Sequence, residues 1–192
     1  MEFIVENFKL NSLESGNFIK PYSATFTLNG DKRSWELVKA NDSVAVLIYN
    51  ADSESFVTVR QFRPPLFANN SGVDGVTLEL CAGIVDKDLT LEEIAAEEVI
   101  EETGFKVDAK SLEKITSFYT AVGFAGPKQH LYYTEVDESC RVTSGGGVAG
   151  EELIEVVEIP TESARELMFD ESIPKTPGLL FAFEWFLAKK GV

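Results

Sequence analysis

The chain has 192 residues, 44% of them apolar, and a net charge of −15 from 17 basic and 32 acidic side chains. That length suits one domain with a sizeable core, the apolar share excludes global disorder, and the acidic balance argues against binding nucleic acid or an anionic membrane in bulk. No apolar run reaches the length of a membrane span, and two cysteines, Cys81 and Cys140, behind a start that is not signal-like fit reduced thiols in the cytoplasm.

The first 40 residues read as strands. Residues 24–28 and 34–38 flank Asn29-Gly30, a strong hairpin signal. Residues 44–49 and 56–62 follow as neighbouring strands, the second ended by Pro64-Pro65. Residues 69–72 form a loop, and 77–80 a short strand that leads through a glycine turn into an acidic helix. Beyond that helix, 115–119 and 129–136 are strands joined by a loop with Gly123, Gly126 and Pro127. His130, the only histidine, falls in the alternating part of the second and reads as a strand residue. Residues 143–150, Thr-Ser-Gly-Gly-Gly-Val-Ala-Gly, are the most flexible-looking stretch and lead to a strand near 154–159. A short helix runs to about Phe169, and a final one from Pro177 to near Lys190. The last is apolar on most sides and is expected to be largely buried. There is no internal repeat.

The acidic helix holds most of the chemistry. Thr90 and Glu93 form a capping box, and Leu89 and Ile94 occupy the positions of a hydrophobic staple. Glu97, Glu98, Glu101 and Glu102 fall along one side, while Ala95, Ala96, Val99 and Ile100 occupy much of the other. No basic residue lies between Leu89 and Gly104. Carboxylates one turn apart repel, so the stripe is either a solvated acidic face or a site for a hard divalent cation. Elsewhere, Arg60 and Arg63 stand at the end of a strand on opposite faces: either surface ion-pair arginines or planar forks for phosphate oxygens. Glu151 and Glu152, after the glycine-rich loop, are either a solvated junction or carboxylates delivered to the acidic helix. Lys175 beside Pro177 is a surface lysine or an anion contact, and Phe118, Tyr119 and Phe124 pack or stack on a base.

Gly83, Glu98, Glu101, Glu102, Gly104 and Phe105 have the spacing glycine, gap, Glu-x-x-Glu-Glu-x-Gly-apolar. The segment resembles the Nudix box. It departs from the family pattern at Leu89, where Glu is expected, and at Glu97, where an Arg that orients a box carboxylate is expected. The likeness extends over roughly residues 45–190 through Arg-Gln-Phe-Arg-Pro-Pro, Phe-Tyr-Thr-Ala-Val-Gly-Phe, Gly-Glu-Glu-Leu-Ile-Glu-Val and Ile-Pro-Lys-Thr. Together these are similar to the UDP-sugar diphosphatase branch, close to the ADP-ribose diphosphatases. The latter carry a proline-containing segment where this chain has Tyr119-Thr120-Ala121-Val122-Gly123.

The resemblance implies an α/β fold of the α+β type: a mixed sheet between helices, with N-terminal antiparallel strands. Residues 1–43 would be an extension in homodimer contact and 44–192 the hydrolase domain. It implies hydrolysis of a nucleoside diphosphate sugar, UDP-glucose to UMP and glucose 1-phosphate, with Mg2+. Glu98, Glu102 and the Ala82 carbonyl would ligate the metal. Glu152, or less favourably Glu151, would be the base or a further ligand, and Glu101 would support the cluster catalytically. Arg60, Arg63, Tyr119 and Gly123 would meet the substrate. The alternatives are ADP-ribose hydrolysis, or a nucleotide-binding module with weakened catalysis, motivated by Glu97 and Leu89.

Overall fold

A computed structural model describes residues 1–11, 13, 16, 19–148 and 152–191. Among the described residues, nine strands and four α-helices make an α+β architecture, as the resemblance implies. Strands β1 (Lys20–Leu28) and β2 (Asp31–Lys39) form a ribbon of their own, closed by Asn29 and Gly30 at φ 51° and 89°. Two successive positive φ values make the tight hairpin turn that matches strand twist, which is why Asn-Gly marks it.

The main sheet is built around β3 (Ser43–Asn50), whose apolar residues are buried on both faces. It pairs antiparallel with β4 (Ser55–Phe62) and β6 (Cys81–Ile84), and parallel with β8 (Lys128–Val136). Strand β4 carries β5 (Val76–Glu79) and β9 (Ile154–Pro160), and β8 carries β7 (Glu113–Tyr119), giving a mixed sheet of seven strands. Alternation along β3 sends Ala45 and Leu47 to one core, and Val44, Val46 and Ile48 to the other.

The first core is covered by α3 (Ala164–Phe169) and α4 (Pro177–Lys190). Phe183 stacks on Phe56 at 4.2 Å between centroids, and Phe186 meets the same ring edge-on at 4.9 Å. Each such buried ring contributes about 2–3 kcal/mol. The second core is covered by α2 (Leu91–Glu98), which buries Ile94 and Ala95. The sheet therefore lies between helices. Among the described residues no helix is long and apolar enough to cross a membrane.

Three local expectations change. Gly83 is not in a turn but inside β6, opposite Val44. Pro64-Pro65 ends β4 and also opens α1 (Pro64–Asn69), because Pro suits the first helical turn. The acidic helix is regular only to Glu98, and Val99–Thr103 widens into a π turn before Gly104 at φ 80°. There the Thr103 hydroxyl donates to the Val99 carbonyl at 2.6 Å, a side-chain bond inserted into the backbone ladder. Leu89, at the staple position, is 42% exposed and lines a shallow groove with Ala96, Ile100 and Val107, while Ile94 is fully buried.

Candidate active site

Helix α2 starts as its sequence demands. The Thr90 hydroxyl accepts from the Glu93 N–H at 3.2 Å, and the Glu93 carboxylate accepts from the Thr90 N–H at 2.8 Å. From this fixed start the helix crosses β6, with Glu98 and Glu102 against its backbone. The Ala82 N–H donates to Glu102 Oε2 at 3.0 Å, and the Cys81 thiol also touches that carboxylate. Glu98 lies over Gly83, where any Cβ would come within 2.1 Å of its carboxyl group. The glycine is needed for this close approach rather than for a turn.

Burial pushes Glu102 from its ordinary value of 4.5 up to about 8, the Ala82 N–H and Cys81 opposing and Glu98 and Glu152 adding repulsion. Burial, then repulsion from Glu101, pushes Glu98 up to about 7, while the Lys87 ammonium pulls the other way. Burial also pushes up the Cys81 thiol, with Glu102 next in effect. Cys81 thus packs as a small apolar residue in the core beneath α2 and also touches the Glu102 carboxylate.

The loop after β8 closes over the end of the acidic helix. The N–H groups of Gly146 and Gly147 donate to the carbonyls of Glu102 and Glu101 at 2.9 and 3.0 Å, taking up carbonyls that a helix end leaves without partners. Gly145 sits at φ 66°, and a Cβ there would lie 2.4 Å from the Glu102 carbonyl oxygen. The stretch expected to be flexible is thus tethered as far as Val148; Ala149, Gly150 and Glu151 lie outside the described residues. Glu152, which is exposed, follows at once and folds back so that its carboxylate accepts from the Val148 N–H at 3.3 Å. Its charge is felt by Glu98, Glu102 and Arg63.

Arg63 faces the same side. Its Nε and Nη2 grip Glu79 at 2.7 and 2.8 Å, and the Thr77 hydroxyl donates to the same carboxylate. The fork is fixed, and its Nη1 donors remain for another oxygen. Arg63, Glu152 and the N-terminal Phe3, Ile4 and Val5 line a cleft of about 420 Å³. A larger cavity, about 700 Å³, lies on the α4 face and contains none of these carboxylates; Arg60 lines it. Of the two, only the smaller cleft is lined by candidate site residues, Arg63 and Glu152.

The structure puts Glu98 within electrostatic reach of Glu101 and Glu152, Glu102 within reach of Glu98 and Glu152, and Arg63 within reach of Glu102 and Glu152. It does not bring Arg60 to them: that side chain pairs with Glu155 at 2.9 Å on the opposite face. Tyr119 and Gly123 stand at the β7–β8 loop, Tyr119 under the Lys128 ammonium at 5.2 Å and the Gly123 carbonyl accepting from Trp35 Nε1 at 2.8 Å. The Lys175 ammonium is taken up by the carbonyls of Asp170 and Ile173. Two participants escaped the sequence reading. Glu79 could have been found by alternation, since it shares its face with Cys81. Lys87 pairs with Glu97 at 2.7 Å and is the last basic residue before the acidic helix.

Among the described residues no three His, Cys, Asp or Glu side chains stand close enough to enclose a metal ion by themselves. Two carboxylates that repel each other and are held above their ordinary range nevertheless suit a hard cation, which lowers the free energy of their ionised form. Such a pair, with the remaining oxygens drawn from backbone, water or substrate, fits a metal that keeps several waters.

The description NUDIX domain matches residues 39–176. The chain belongs to the Nudix family. This Nudix chain is 34% identical over 210 residues to the uridine diphosphate glucose pyrophosphatase NUDT14 of Bos taurus, covering 96% of this chain and 95% of the relative. The Mus musculus protein of the same name is 33% identical over 90% of this chain and 89% of its own. The GDP-mannose pyrophosphatase of Cronobacter sakazakii is 40% identical, over 68% of this chain and 66% of its own.

Proposed function

We propose that this Nudix hydrolase cleaves the diphosphate of a nucleoside diphosphate sugar, with UDP-glucose as substrate and UMP and glucose 1-phosphate as products. The observation that carries the choice is the alignment with the Bos taurus UDP-glucose pyrophosphatase, which runs along 96% of this chain at 34% identity, whereas GDP-mannose pyrophosphatases align over 68% to 90% of it. The metal is Mg2+, held by Glu98 and Glu102, with the Ala82 carbonyl and Glu152 as further oxygens. When bound, it supplies charge neutralisation at the diphosphate and acidifies water.

The remaining work falls to the chain's own residues. Arg63, its fork locked by Glu79, presents Nη1 to a diphosphate oxygen, while Glu101 supports the carboxylate cluster. Glu152, exposed on the tethered loop, takes the proton as a water oxygen bonds to phosphorus and the bridging P–O bond breaks. Arg60, Tyr119 and Gly123 lie away from this cluster, so any contact they make is with the nucleoside or sugar end.

The protein works as a homodimer, with residues 1–43 as its contact arm and 44–192 as the hydrolase domain. A two-stranded ribbon is marginal alone, and β1–β2 exposes Tyr22, Phe26, Leu28 and Trp35. Free thiols at Cys81 and Cys140 suit a reducing cytoplasm. An acidic surface favours neither nucleic acid nor membrane as partner.

Incubation with Mg2+ and UDP-glucose, GDP-mannose or ADP-ribose, with products resolved by chromatography, tests the assignment. UMP and glucose 1-phosphate as the fastest-formed products support it. AMP and ribose 5-phosphate, or binding without turnover, would overturn it.

A further inference from the structure

We propose that Lys87, anchored by Glu97, is a positioning residue: from the loop before α2 it supplies the positive charge that the acidic helix lacks, and it keeps Glu97 out of the carboxylate cluster. The proposal rests on the reading of that cluster as the centre of a nucleotide-sugar hydrolase.

The loop is held at both ends. The Val85 N–H donates to the Asp42 carbonyl at 2.8 Å just after β6, and the Thr90–Glu93 capping box fixes the start of α2. Lys87 therefore projects from a short, pinned segment. Its Nζ meets Glu97 Oε2 at 2.7 Å, and Glu101 and then Glu98 follow Glu97 in their Coulombic effect on it. The cluster is thus flanked by two cations. Arg63 acts on Glu102 and Glu152, with two of its donors held by Glu79; Lys87 acts on Glu101 and Glu98, opposed at Glu98 by Asp86 of the same loop.

Without Lys87, Glu97 would be a free carboxylate beside Glu98 and one turn before Glu101, where like charges repel and can divert a cation. The pairing also bears on the departure at position 97. A cation placed at 97 on the helix would lie next to Glu98 and four residues before Glu101, close to the same two carboxylates that Lys87 approaches from the loop. The loop lysine and a helix arginine are therefore interchangeable sources of one charge.

The experiment uses the full chain and three variants: Lys87→Gln, Glu97→Gln and Lys87→Gln/Glu97→Arg. Steady-state hydrolysis of UDP-glucose, Mn2+ binding by electron paramagnetic resonance and the thermal midpoint are read for each. Lys87→Gln should lose about tenfold in kcat with KM within about twofold, as expected for a misplaced group rather than a lost substrate contact. Its Mn2+ affinity should be unchanged or tighter, since a nearby positive charge has gone, and its midpoint should stay close to wild type, since an exposed ion pair holds little fold stability. Glu97→Gln, which frees Lys87, should lose less, and the double variant should regain most of kcat. Near wild-type kcat in Lys87→Gln, or no recovery when Arg is placed at 97, overturns the proposal. A wild-type protein inactive on all nucleotide sugars overturns the hydrolase reading, and this inference falls with it.

Discussion

Replacing Glu102 by Gln should stabilise the metal-free protein while destroying its activity. The carboxyl is fully inside the fold at 3% exposure, and burial raises it to about 8 from an ordinary 4.5. At pH 7 the unfolded chain ionises this group while the folded chain keeps the proton, so folding carries a cost on the order of 3 kcal/mol. The sign follows from the raised value. Below pH 4.5 both states are protonated and there is no cost; stability falls as pH rises from 4.5 through about 8, then levels off. A neutral amide of the same shape removes the dependence and can still accept from the Ala82 N–H. Part of the gain goes to imperfect pairing of the new NH2 group, leaving about 1–3 kcal/mol, or a midpoint higher by several degrees for a chain of this size. Urea and thermal unfolding in EDTA at pH 5 and pH 8 measure it. Glu102→Gln should exceed wild type at pH 8, and the gap should close toward pH 5. Saturating Mg2+ at pH 8 should stabilise wild type more than the variant. A variant no more stable than wild type at pH 8, or a gap independent of pH, would refute the reasoning.

Further outcomes follow from the same geometry. Glu98→Gln should abolish Mg2+-dependent turnover with the far-ultraviolet circular dichroism unchanged, and retention of near wild-type activity would remove it from the ligand set. Gly145→Ala forces a side chain into positive φ and against the Glu102 carbonyl, and should cost about 1–3 kcal/mol in urea unfolding together with a loss of kcat. Arg63→Lys keeps the charge but not the fork on Glu79, so KM for the nucleotide sugar should rise at least severalfold. Trp35→Glu on the exposed ribbon tests the proposed dimer: the sedimentation coefficient should shift from that of a dimer toward that of a monomer, and an unchanged value would refute the ribbon as the contact.

Where a local rule governs, the sequence was legible. Asn29-Gly30 announced a hairpin, runs of strand-forming residues marked β3, β4 and β7, alternation marked β8, and Thr90 with Glu93 marked the start of α2. The spacing of Glu98, Glu101 and Glu102 pointed to one helix face, and the structure puts their side chains near one another. What escaped depends on partners distant in the chain. Gly83 looked like a turn because its strand is four residues long and exists through pairing with β3. The widened turn at Val99–Thr103 depends on the Thr103 side chain and on a loop some forty residues away. The pairing of Lys87 with Glu97 is not legible from the helix alone, because the cation comes from the loop before it. Leu89 sits at a staple position by spacing alone, and spacing does not say how far an exposed side chain packs.

The glycine loop has an electrical consequence. Peptide dipoles add along a helix, so its C-terminal end is a negative pole, and Glu101 and Glu102 occupy that end. Formal charges and partial charges of the same sign are therefore stacked in one place. The amides of Gly146 and Gly147 lay their positive ends on that pole, and no acidic side chain could do the same. With a cation on the ligand set proposed above, seating of the loop, ionisation of the carboxylates and loading of the cation would be linked equilibria, and linkage is reciprocal. Whatever lifts the loop changes the affinity for the ion, and the ion in turn holds the loop down.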